Sequence, residues 1–89
     1  MKVGHESHME SVSFVYQTME RIAKNRDARV RYCGTENHGG TSTARYELVS
    51  NQTAKTAGCI RLFFNKKSGF YWINSSGISE EELEKAVRG

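Results

Sequence analysis

The sequence predicts a two-layer α+β domain in which one helix, a four-stranded antiparallel meander and a second helix follow one another. Three observations carry this prediction. An apolar stripe recurs at helical spacing near the start, four short alternating runs occupy the middle, and a serine-capped, acid-led helix start lies near the end. At 89 residues the chain suits one domain, and folding removes only roughly 60–65% of its unfolded surface from water, so the core is thin.

From Ser11 to Lys24, Val12, Val15, Tyr16, Met19, Ile22 and Ala23 recur three and four residues apart, which is one face of a helix. Ser11 or Ser13 suits its start. Arg21, Lys24 and Arg26 gather at its C-terminal end, where the helix dipole favours cations. The period then changes to two: Ala28, Val30 and Tyr32 alternate with Arg29, Arg31 and Cys33, as in a half-buried strand.

The polar stretch Gly34 to Thr43, with Gly39-Gly40, is expected to be a loop before a second alternating run, Ala44 to Val49. A polar segment, residues 50–57, leads into Cys59 to Phe64. The five residues NKKSG then turn the chain into Phe70 to Asn74. Pairing Phe64 with Phe70 places Leu62 and Trp72 on the core face, and Phe63 and Tyr71 on the other.

At the end, Ser79 precedes Glu80, Glu81 and Glu82, with Ile78 and Leu83 spaced as a hydrophobic staple; the helix runs Glu80 to Arg88. Both helices are expected on one sheet face, over Val30, Tyr46, Leu48, Ile60, Leu62 and Trp72.

The segment Ser7-His8-Met9 resembles a cloning junction. Residues 1–9 are therefore expected to be a disordered tail or cloning remnant, and 10–89 the single domain. The longest nearly apolar run, Ile60 to Phe64, falls far short of the ~20 residues that cross a bilayer, and the first ten residues lack the apolar stretch of a secretory signal. A cytoplasmic protein without membrane partners is expected, with Cys33 and Cys59 as free thiols.

No catalytic pattern stands out. His5, His8, His38, Cys33 and Cys59 are zinc-ligand types at no ligand spacing. His38 is the only base near Cys33, and the glutamates after Ser79 explain themselves as a helix start. No cofactor, metal or catalytic residue is expected, and hence no enzyme.

Charge is the informative feature. Between Arg21 and Lys67 there are ten basic residues (Arg21, Lys24, Arg26, Arg29, Arg31, Arg45, Lys55, Arg61, Lys66 and Lys67) against Asp27, Glu36 and Glu47. Alternation puts Arg29, Arg31, Arg45 and Arg61 on the face away from the core, with Phe63 and Tyr71, while Lys66 and Lys67 extend the track at a hairpin tip. Arginines pair with phosphates and aromatic rings stack on bases, so the expected function is a small non-enzymatic accessory protein holding nucleic acid, single-stranded by preference, on an open sheet. The alternative is a protein-interaction module, a compact inhibitor or adaptor, or a homodimer, using the same face against an acidic partner or a second copy.

The element order is most similar to that of the double-stranded-RNA-binding domain, which runs helix, three strands, helix. The fourth strand departs from it, as do Glu80, Glu81 and Glu82 where that family carries lysines; acidic groups there repel phosphate.

Overall fold

The computed structural model describes the backbone of residues 2–5 and 8–89, and the side chains from residue 11 onward. After a short strand β1 (Lys2–His5) come helix α1 (His8–Asn25), strands β2 (Ala28–His38), β3 (Thr41–Ser50), β4 (Thr56–Asn65) and β5 (Phe70–Ser76), and helix α2 (Glu80–Arg88). The predicted α-β-β-β-β-α order is therefore present. All neighbours in the sheet are antiparallel, in the order β1-β5-β4-β3-β2.

Two segments are strand where the sequence suggested none. Lys2–His5, within the stretch expected to be a tail, pairs with β5, His5 standing opposite Phe70. The glycine-bearing stretch after Cys33 is not a loop either: β2 continues to His38 and β3 begins at Thr41, leaving a two-residue turn in which Gly39 takes φ +61°. That turn puts glycine at the first central position, as tight hairpins require. These segments are polar on both faces or very short, so they show no hydrophobic period; their order comes from backbone pairing with a neighbour.

One hydrophobic cluster joins the layers. Val15, Met19, Ile22 and Ala23 of α1 meet Tyr46 and Leu48 of β3, Ile60, Leu62 and Phe64 of β4, and Tyr71 and Ile73 of β5, with Leu83 and Ala86 of α2 closing one end. Tyr16 is left 41% exposed at the margin of the stripe, edge-on to Tyr46. No helix among the described residues covers the opposite face of the sheet, and none is long and apolar enough to cross a membrane.

The α2 start is built as its sequence suggests. Ser79 Oγ accepts from the Glu82 N–H at 3.1 Å, and Ile78 and Leu83 are buried beside each other's turn. The Glu82 carboxylate meanwhile receives Arg26, whose Nε donates at 2.7 Å and whose other nitrogens reach the carbonyls of Ala57 (3.1 Å) and Gly77 (2.9 Å). One guanidinium thus ties the end of α1 to α2 and to the strands beneath. Arg21 caps the far end of α2 by donating to the Ala86 carbonyl at 2.9 Å. These two cations, part of the basic excess counted along the chain, hold the helices together and do not reach the open face.

The β4–β5 register corrects the sequence reading. Phe64 stands opposite Tyr71, not Phe70, and Phe63 stands opposite Trp72. The cause lies in the turn. Asn65 remains in the strand, its side-chain oxygen accepting from the N–H groups of Lys67 (3.0 Å) and Ser68 (3.1 Å), while Gly69, at φ +76°, donates to the Asn65 carbonyl at 2.9 Å. A four-residue loop replaces the five expected, and a shift of one residue turns every β5 side chain over. Tyr71, expected on the open face, is 1% exposed in the core, edge-on to Phe14; Trp72, expected in the core, is 38% exposed on the open face.

Candidate functional site

The open face is laid out in rungs by the strand pairings. Nearest the β4–β5 tip, Glu36, Thr43, Phe63 and Trp72 stand side by side across β2, β3, β4 and β5. The next rung holds Gly34, Arg45, Arg61 and Asn74. Beyond it lie Arg31, Glu47, Cys59 and Ser76, and then Arg29 opposite Val49. All four arginines expected on this face are there and exposed. Phe63 is there and half-buried. Lys66 and Lys67 are exposed at the tip, which a bond from the Lys66 N–H to the Gly40 carbonyl (2.9 Å) holds beside the β2–β3 turn.

Trp72 takes the place that sequence reasoning gave to Tyr71. Its ring lies parallel to that of Phe63, centroids 5.4 Å apart and planes within 6°. Phe70, 38% exposed, has the same parity in β5 and shares the face. The opposite side of Phe63 borders a shallow depression floored by Gly34 and Thr43 and walled by Arg45, Arg61, Glu36 and His38. An extra residue in β2, Cys33, opens this depression by bulging the strand where Gly34 adopts φ +114°.

Charge on the face is not uniform. Arg45 and Arg61 stand directly opposite one another, a like-charge pair of the sort that destabilises a sheet unless an anion lies between. Arg45 is partly compensated by Glu47 at 3.1 Å; Arg61 has no carboxylate partner among the described residues. Glu47, 8% exposed, also receives Arg31 from the neighbouring strand and the Thr56 hydroxyl at 3.5 Å. Sequence reasoning omitted Glu47 from this face, although the alternation that placed Arg45 there places Glu47 as well.

Comparison with protein-family models, curated proteins and solved structures found no match to this chain.

The hydrogen bond from Arg31 holds the Glu47 carboxyl below the usual carboxylate range, and Arg26 does the same for Glu82. A carboxyl lowered in the folded state stabilises the fold above its unfolded value, and that contribution is lost as pH falls through the folded one. Stability is therefore expected to decline below about pH 4–5. Thermal midpoints measured across that range should fall less steeply in Glu47→Gln than in the wild type; parallel profiles would contradict this role for the Arg31–Glu47 pair. Partial desolvation of the Cys33 sulfur, together with the adjacent Glu47 carboxylate, pushes that thiol up. Cys33 and Cys59 are both free, and no group of three metal-ligating side chains exists among the described residues.

Proposed function

We propose that the open face binds single-stranded nucleic acid. The observation that carries this reading is the adjacency of two rungs: the parallel, partly exposed Phe63–Trp72 pair, and the Arg45–Arg61 pair beside it. Bases of a single strand extend the aromatic stack, and phosphates lie between two guanidinium groups that otherwise repel each other. A flat row of aromatic rings suits unpaired bases, since a duplex keeps its base faces inside. An acidic protein would satisfy the arginines but would leave the rings without a matching surface.

The same geometry limits the electrostatic share. Arg31 and Arg45 already contact Glu47, so Arg61 and the tip lysines meet phosphate most freely. Binding is expected to depend on salt only modestly, with stacking supplying much of the affinity.

Trp72 is the sole tryptophan, so its fluorescence reports on the site directly. Titration with short single-stranded DNA and RNA at physiological salt is expected to quench it. Arg61→Ala should weaken binding and reduce the salt slope by about 0.7, one phosphate contact on a single strand. Absence of quenching, or binding no stronger than that of a control protein of equal charge, would overturn the proposal.

A further inference from the structure

We infer that two copies of the chain pair edge to edge through β2, forming a two-fold dimer with one continuous sheet. β2 ends the sheet and bonds only to β3, so a row of N–H and C=O groups along its 11 residues points outward. None of its residues is buried. The other edge strand, β1, covers β5 and is only 4 residues long, which offers a neighbour little to pair with. β2 has neither the proline nor the lysine with which edge strands commonly repel a neighbour. Its margin carries the most exposed large hydrophobic side chain among the described residues, Tyr32 at 54%, whose ring centroid lies 5.4 Å from that of the buried Tyr46. Tyrosine so placed offers apolar area with little ordering cost, as interfaces favour.

The pattern along β2 says that the occupant is a second copy. The bulge at Cys33 is the midpoint of the strand. Before it, Arg29 and Arg31 lie on the open face and Tyr32 on the helix side; after it, Glu36 and His38 lie on the open face and Thr35 on the helix side. In an antiparallel pair with its axis between Cys33 and Gly34, like faces coincide on both sides of the axis. Arg31 then stands opposite Glu36 of the second copy, and Tyr32 opposite its Thr35, each pairing occurring twice. A bulge usually deters edge pairing, but here each Cys33 stands opposite Gly34 of the second copy, so the two extra residues are diagonal neighbours at the axis and leave both halves of the ladder free. Glu36 is available for this role, since its contact with His38 at 3.1 Å joins two highly exposed side chains. Arg31 holds Glu47 through one nitrogen and has others left to donate, and the Tyr32 hydroxyl, which contacts Thr35 of its own chain, keeps that contact while its ring packs across the axis.

Such a dimer places both open faces on one side, with the arginine rungs joined at the centre. It does not depend on what the face binds. Light scattering after size exclusion is expected to show a dimer that dissociates on dilution. A short bismaleimide should link Cys33 to Cys33 of the second copy in the wild type and in Cys59→Ser, but not in Cys33→Ser. Glu36→Arg changes an exposed side chain and should weaken the dimer roughly tenfold, since two attractive pairs become repulsive. A monomer at every concentration would overturn the inference, as would a dimer that Cys33 does not link or that Glu36→Arg leaves unchanged.

Discussion

Tyr71→Ala is expected to destabilise the fold by roughly 3–5 kcal/mol, the range seen when a buried aromatic ring is truncated and a cavity remains. Tyr71 is among the largest fully buried side chains. It faces Phe64 across the ladder and meets Phe14 of α1 edge-on at 6.4 Å, so its loss opens a void between the sheet and the helix. Small domains hold only about 5–15 kcal/mol in total, so the variant should unfold at much lower urea. Urea denaturation followed by circular dichroism measures this. A cost under about 1 kcal/mol would mean that Tyr71 faces solvent and that β5 is paired one residue out of the register described.

Trp72→Ala, one residue further on, is expected to act chiefly on binding. Stability should fall by roughly 1–3 kcal/mol, less than in Tyr71→Ala, because the ring lies at the open face with 38% of its surface in water and loses only partial burial and its stack on Phe63. Affinity for single-stranded nucleic acid should drop by about 5-fold to 150-fold, which corresponds to one lost base-stacking contact. Fluorescence anisotropy of a labelled oligonucleotide reads this without relying on the missing tryptophan. Unaltered affinity in a folded Trp72→Ala variant would remove the stacking rung from the site. The two substitutions together test the register and the function separately.

Much of the site was legible before any coordinates. Arg29, Arg31, Arg45 and Arg61 each sit in a run where apolar and polar residues alternate, so parity alone assigned their face. Glu47 carried the same signal. The four residues from Phe70 to Ile73 did not, because all are apolar and either alternate set could face the core. The choice fell to the Asn65 side chain and the left-handed Gly69, which make the loop one residue shorter than its composition suggests.

The amino-acid sequence by itself determined the two helices, the four-strand meander and the sidedness of β3 and β4, since these follow from periodicity, capping and turn chemistry, which act over a few residues. Tertiary structure alone decided the β4–β5 register, the bulge at Cys33, the pairing of Lys2–His5 with β5, and the commitment of Arg21 and Arg26 to α2 instead of the open face. Those choices are settled by groups far apart in the chain: a ring that fills a space beneath α1, a carbonyl at the end of a helix, an unpaired strand edge. A local pattern cannot show such partners, because what makes each arrangement favourable is the burial or hydrogen bond gained only when the distant element arrives.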